Sequence, residues 1–513
     1  MLRRTLAAVP RRLAPAAARA FATAPVDMSD EAWTGAWHAA TAELRSEGVT
    51  FEESAGRLRE LLQTGLLTHT DLKDHPGRFF EAHRILARHA VEHGPGFWIR
   101  FTVHYNLFAG TVLAVGGEQQ LADLEAMLPR GELGCFGLTE VLAGVQSGLV
   151  VNTTATWCDE RRVFELHTPD EGAAKNWISQ GYTADKAVVL ADLRVGGSSH
   201  GPHAFVMDLR TEQGGAAARG VSMSDMGRKT TGNDLDNARI SFERVELPHA
   251  AMLDRYAAVE AGGGGQYVQK VAGVPPFAMI GQRLYTGRVA VAQAALSYSR
   301  RLFELTRAYA EGKAIPGAPG GGGGTSDNRL AGIPQLKSLF LEAEAELSQL
   351  DAFVGALEQE LSAALRLDKI PDERLVEAIA TAKVRAVERS IGLCFRLKQE
   401  VGSFALMADA GFAHLDFLQC CKFAEGDSRI LMQKMARDRL KAEMAGNGAA
   451  GGCEAEAALC ARIGAGMAEA SKAGADRKEA WDAQWEEVYE LAELVMGRVM
   501  SDYVDGGKGS GGN

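Results

Sequence analysis

The hydrophobic period of this chain changes twice, and that limits it to a three-part architecture. From about Phe51 to Leu128 apolar residues recur three and four apart. In the stretch Pro76 to His93, for example, Phe79, Phe80, His83, Leu86 and Ala87 share one helical face. Between Gly134 and about Leu247 the pattern shortens to alternating runs at 149–157, 162–167, 187–194, 204–210 and 239–245, with turn residues between them. Helical spacing returns from Gly281 to about Met444, with 335–365 as one long stretch. The fold class read from this is α+β. An N-terminal helical domain spans 25–130, a central small β-barrel domain 131–255 (an antiparallel barrel or sandwich), and a C-terminal helical bundle 275–440. Glycine tracts at 262–265 and 320–324, and an Ala/Gly/Asn segment at 445–452, read as loops or linkers. Residues 441–513 are expected to form a Gly-rich linker and terminal amphipathic helices. The last helix carries Trp481, Trp485, Val488, Leu491 and Val495 on one face, packed on the bundle.

Residues 1–24 stand outside this pattern. They hold Arg3, Arg4, Arg11, Arg12 and Arg19, no acid before Asp27, and an apolar stripe of Leu2, Leu6, Val9 and Leu13. That is the composition of a mitochondrial targeting presequence, which places the mature protein in the mitochondrial matrix; a disordered basic tail is the alternative. The C-terminal residues Gly509 to Asn513 spell no SKL-type peroxisomal address. Lys+Arg 55 against Asp+Glu 66 gives a net charge of −11, which argues against a nucleic-acid binder. The best apolar run, 107–115, is about half the length of a membrane span. Seven cysteines form no CxxC pair, so neither a disulfide framework nor a Cys-based zinc site is expected, and a reducing compartment fits.

Two motifs are decoys. Residues 446–451, GNGAAG, match GxGxxG, but a helical stretch precedes them where a dinucleotide site needs a strand. His69 and His75 lie near Asp71 and Asp74, and read as a solvated loop because no second ligand pair accompanies them; no metal is expected. Three other segments carry more chemistry. Gly134 to Gly148 is a strand ending in Thr139-Glu140 before a Gly-containing loop, and Lys175 to Gly181 sets Trp177 two residues before Ser179. Together Thr139, Trp177 and Ser179 could wall one face of a planar ring and bond its polar edge; singly, each is as readily a core tryptophan or a strand hydroxyl. The third is Glu425, before Gly426 and a helix opened by the cap residues Asp427 and Ser428. The apolar run Phe417–Phe423 beside it should raise its carboxyl from about 4.3 towards roughly 6–7, which suits a general base.

The motifs GCFGLTE (134–140), ELHTP (165–169), KNWIS (175–179), HAFVMDLR (203–210), DNARISFERVELP (236–248) and CKFAEGD (421–427) occur in order, after VHYNLFAGTVL (103–113). Over roughly 50–440 this resembles the acyl-CoA oxidase branch of the acyl-CoA dehydrogenase superfamily. The resemblance implies an FAD enzyme of fatty acid β-oxidation that converts acyl-CoA to trans-2-enoyl-CoA and passes electrons to O2. Glu425 matches the family's catalytic glutamate, Thr139 its flavin-contacting threonine, and Trp177 and Ser179 its Trp-Ile-Thr segment. Lys313 stands where the family has an arginine pair, one of which reaches a flavin phosphate. Ser403 replaces the second of a glycine pair, and Ala424 an aromatic; the oxidases' second helical domain is not expected after Arg437. The alternatives are a dehydrogenase that passes electrons to an electron-transfer flavoprotein, and a catalytically silent scaffold. A homodimer or homotetramer is also implied, and the peroxisome is the alternative compartment.

Overall fold

The computed structural model describes residues 28–45, 48–145, 147–260, 265–271, 276–315, 328–446 and 452–509. The presequence call at 1–24, the tract at 320–324 and most of the GNGAAG segment lie outside these residues.

The N-terminal part is helical: α1 (Asp30–Thr41), α2 (Phe51–Gln63), α3 (Asp71–Asp74), α4 (Pro76–His93), α5 (Gly96–Thr102), α6 (Gly110–Val115) and α7 (Glu118–Arg130). Local chemistry sets their ends. Ser29 caps α1, a Thr50–Glu53 capping box opens α2, and Gly131 closes α7 in the left-handed conformation. Trp33, Trp37, Phe79, Phe80 and Phe101 are buried between them. Periodicity gave no sign of a π-helix, Val103–Ala109, wound between α5 and α6. Such turns occur frequently at functional sites.

The β unit comprises β1 (Gly134–Gly137), β2 (Thr154–Cys158), β3 (Val163–His167), β4 (Lys175–Ser179), β5 (Lys186–Val195), β6 (Ser198–Asp208), β7 (Val221–Asp225), β8 (Asn237–Phe242) and β9 (Val245–Pro248). A hairpin, β10 (Ala257–Glu260) and β11 (Gln266–Gln269), extends it beyond 255. Its hydrogen-bonded ladders form a six-stranded sheet, β1-β5-β2-β3-β9 with β6 on β5, and a three-stranded sheet, β4-β8-β7. Phe164, Leu193, Phe205, Ile178, Ile240 and Phe242 from both sheets make one core. The all-antiparallel expectation needs correction: β1 and β2 both pair parallel with β5, Gly134 opposite Lys186 and Thr154 opposite Asp192. Parallel pairing needs a long connection, and the chain from Gly137 to Lys186 supplies it. Arg100, fully buried, fastens α5 to this unit by donating to Gln180 Oε1, Thr183 Oγ1 and Asp236 Oδ1 at 2.9–3.2 Å.

The C-terminal part holds α8 (Pro276–Gly312), α9 (Pro334–Arg366), α10 (Glu373–Glu400), α11 (Asp416–Phe423), α12 (Ser428–Met444), α13 (Glu454–Lys472), α14 (Arg477–Asp482) and α15 (Trp485–Gly509). The face of α15 is buried at Val488, Leu491, Val495 and Met496, as an amphipathic helix packed on a bundle requires, while Trp485 faces outward. Buried Glu456 of α13 ties the last helices down, accepting from Arg439 at 2.6 Å and Arg498 at 2.8 Å.

Candidate active site

Between α11 and α12 the chain turns through Ala424, Glu425 and Gly426, and Asp427 then caps α12 by accepting from Arg429 N–H at 2.8 Å. Glu425 has φ +56° and Gly426 φ +97°. A residue with a Cβ pays a steric penalty in the left-handed region, so Glu425 stands there only because its surroundings hold it. Arg288 of α8 donates from Nε to the Glu425 carbonyl at 3.0 Å, and Lys383 of α10 bonds the carbonyls of Lys422 and Gly426.

The carboxylate rests on α8 at Gly287. A Cβ at position 287 would fall onto Glu425 Cδ and within 2.6 Å of Asn106 Nδ2, so only glycine leaves the notch open. Asn106, buried in the π-helix, donates to Glu425 Oε1 at 3.4 Å and accepts from Thr286 Oγ1 at 2.6 Å. Glu425 keeps some exposure as a residue, but its Oε2 is sealed from solvent and makes no hydrogen bond. Burial therefore pushes the carboxyl up to about 7, against the opposing pull of Arg288, the Asn106 amide and Lys383. The source of desolvation differs from the expectation. Phe417, Leu418 and Cys421 turn into the bundle core and Phe423 is exposed, so α8 and the π-helix enclose the acid.

The other constellation lies on the β unit. Thr139 is exposed at the end of β1, and its carbonyl accepts from Asn176 N–H at 2.9 Å, which sets it beside Trp177. The register of β4 against β8 shifts between Lys175 and Ile178, and Trp177 takes φ +57° at that bulge. A bulge re-aims a side chain, and here Trp177 stands 56% exposed, its backbone N–H donating to the Met226 sulfur at 3.2 Å. Ser179 accepts from Asn237 Nδ2 at 3.0 Å. Beneath this face lies a fully buried ion pair, Lys175–Glu140 at 2.9 Å. Lys175 also donates to Leu138 and Leu190 carbonyls, and Glu140 accepts from Asn152 and Thr153 N–H groups. Burial lowers the Lys175 ammonium to about 8. Trp177 and Met226 thus form an exposed apolar face, with Thr139 paired by its backbone to the neighbouring Asn176 and Ser179 two residues on. Its residues fit a planar heteroaromatic ring with polar edges.

The backbone bond from Asn176 to Thr139 sets Thr139 beside the strand of Trp177 and Ser179, and the β7–β8 loop that carries Met226 reaches the α11 end of the bundle through Thr231 Oγ1 and His414 Nδ1, 3.2 Å apart. Lys313 stands apart. It is exposed just beyond the end of α8, and at 1.5 Å per residue it lies roughly 39 Å along that helix from Gly287. The solvated-loop reading of His69 is also corrected. The residue is buried, its Nδ1 meets the Leu124 carbonyl at 3.0 Å, and its Nε2 meets His104 Nε2 at 3.1 Å. Among the described residues no cluster of three or more metal-ligating side chains occurs. A cavity of about 1090 Å³ between α7, β6 and β9 is lined by neither Glu425 nor Trp177. Sequence reasoning missed Asn106, Gly287, Arg288 and Lys383. A signal was available for Asn106 alone, an amide inside the largely apolar stretch 105–115.

No family model matches the chain. It is 28% identical over 379 residues to acyl-coenzyme A oxidase 2 of Yarrowia lipolytica, covering 68% of this chain and 51% of that one. It is 32% identical over 206 residues to peroxisomal acyl-coenzyme A oxidase 3 of Homo sapiens, covering 38% of this chain and 28% of that one. The chain spans about half the length of the first curated relatives it matches. The crystal structure of acyl-CoA oxidase-2 of Caenorhabditis elegans, bound with FAD, ascaroside-CoA and ATP, superposes with a TM-score of 0.76. That match has 18% identity and covers 97% of this chain and 81% of that one. The fold is that of the acyl-CoA oxidases, and the resemblance read from the motifs holds.

Proposed function

We propose that this chain, whose fold is that of the acyl-CoA oxidases, is an FAD-dependent acyl-CoA oxidase that removes the α-proton and β-hydride of an acyl-CoA to give the trans-2-enoyl-CoA. The observation that carries the reading is Glu425: a buried, unpartnered carboxylate oxygen on an acid raised to about 7. A C–H bond α to a thioester is a very weak acid, and its removal needs a positioned base active near neutral pH. Glu425 is assigned that proton, with Gly287 giving its carboxylate room and Asn106 orienting Oε1. FAD, when bound, supplies the acceptor for the β-hydride and the route to O2. Thr139, Trp177 and Ser179 are assigned to hold it, Trp177 by its apolar face and the two hydroxyls at the ring edge. Lys313 is left out of this group because of its distance along α8.

Glu425→Gln tests the assignment. The variant should purify yellow and bind acyl-CoA, yet bleach ~10²- to 10⁴-fold more slowly than wild type when substrate is added without oxygen. Bleaching at the wild-type rate would remove Glu425 from the mechanism. A colourless wild-type protein would instead favour the scaffold reading. Two further points belong to this proposal. The peroxisome is the compartment that the human relative's name supports, while the matrix rests on the arginines of residues 1–24 alone. A reporter fused to residues 1–30 separates them. That arginine-rich stretch is also what favours the second reading, a dehydrogenase serving an electron-transfer flavoprotein. Re-oxidation of the reduced enzyme by air within a turnover decides for the oxidase.

A further inference from the structure

We infer that Lys383, buried in the middle of α10, is a positioning residue that holds Glu425 in its left-handed conformation and so fixes where the proton-accepting carboxylate stands. The inference rests on the reading of Glu425 as the base. Lys383 Nζ donates to the Lys422 carbonyl at 2.6 Å, the Gly426 carbonyl at 2.9 Å and Ser428 Oγ at 3.2 Å. Those acceptors lie on both sides of Glu425 in sequence, and Arg288 of α8 takes the carbonyl between them. Every donor on Lys383 is thus spent on the turn that carries the acid.

A purely structural role is the competing account. The Lys422 carbonyl sits in the last turn of α11 and has no intrahelical partner, so a donor there is a C-terminal cap. A cap, however, needs neither full burial nor a net charge, and Lys383 has both: its side chain is completely enclosed, and burial lowers its ammonium to about 8. Without it, two carbonyls would lose their donor in the core. The turn could relieve its left-handed strain by rotating at Glu425, which would swing the carboxylate off the Gly287 notch. Lys383 also adds positive charge near the acid. The groups facing Glu425 are Asn106 from the π-helix, Arg288 from α8 and Lys383 from α10; Asp427 follows on its own loop, and Lys422 is paired with Glu388 at 2.6 Å. Removing Lys383 therefore leaves Arg288 as the remaining cation that lowers the carboxyl.

The test uses the FAD-loaded enzyme in three forms, Lys383→Gln, Lys383→Arg and Glu425→Gln, with the anaerobic bleaching rate followed against pH. Lys383→Gln should stay yellow, bleach about 10- to 100-fold more slowly, and move the acidic limb of its profile to higher pH. Lys383→Arg keeps the charge but offers a planar fork in place of a compact ammonium. It should slow bleaching while leaving the acidic limb in place, and should lose any alkaline limb near pH 8. Pure capping predicts a lower melting temperature with rate and limb unchanged in both variants, and that result overturns the inference. If Lys383→Gln does not fold, a wild-type rate and profile in Lys383→Arg overturns it equally. Wild-type bleaching by Glu425→Gln would mean that the base was misassigned, whereas a dead Glu425→Gln beside a normal Lys383→Gln sinks only the role of Lys383.

Discussion

At the scale of single residues, the proposed base would gain its reactivity at the expense of stability. The Glu425 carboxyl, raised to about 7 by burial, binds its proton more tightly in the folded than in the unfolded chain. Its stabilising contribution is therefore full at low pH and is lost as pH rises through about 7. Glu425→Gln, which imitates the protonated form, should match wild type in unfolding free energy below about pH 4.5 and exceed it by roughly 3 kcal/mol above about pH 8. Urea titrations across that range check it; a constant difference at all pH values would show an acid that is not desolvated. Gly287→Ala should place a methyl group on the carboxylate and cost about 100-fold in bleaching rate, with flavin content unchanged. Of these residues only Glu425 was legible in the sequence, from the acid-Gly step before a capped helix. Its partners were not, because Asn106 lies 319 positions upstream and Arg288 137. No local pattern reports what a distant helix brings against a side chain.

Among the secondary-structure elements, the switch from period 3.6 to period 2 placed the β unit; β3, β5 and most of β8 fall where alternation predicted them, while β2 starts five residues after its predicted run and β6 six before. What escaped was pairing. Short β4 and β7 have too few residues to show alternation, and the parallel contacts of β5 depend on connections rather than on side-chain pattern. The bulge in β4 escaped as well, since Trp177 looks like any strand tryptophan until its backbone is seen. The pair beneath it gives a prediction at this scale. Lys175→Met strands the Glu140 carboxylate in the core, and breaking a buried pair from one side costs about 3–5 kcal/mol. The variant should melt earlier and lose flavin on gel filtration, because the Thr139 and Trp177 segments share that anchor. Flavin retained at wild-type occupancy would separate the pair from the cofactor face.

Over the whole molecule, the order helices, β unit, helices was readable because each part keeps its own period over many residues, and the terminal helices were correctly expected to pack on the bundle. The lock that holds them was invisible. Glu456 appears in the sequence as one acid in an alanine-rich helix, yet it is fully buried between Arg439 and Arg498. Glu456→Gln should lower the melting temperature by several degrees while leaving the bleaching rate of the folded fraction intact, as a lock remote from Glu425 would. A further consequence follows from the contacts that surround Glu425, and it concerns time. The ribosome makes Asn106 first, Gly287 and Arg288 next, Lys383 later and the acid itself last. Until the final turn docks, that acid is an ordinary solvated carboxylate, and its raised proton affinity is itself a product of folding. Contacts closed over such long separations form slowly. Newly made or refolding chains should therefore recover helical structure well before they recover the ability to take a proton from a carbon.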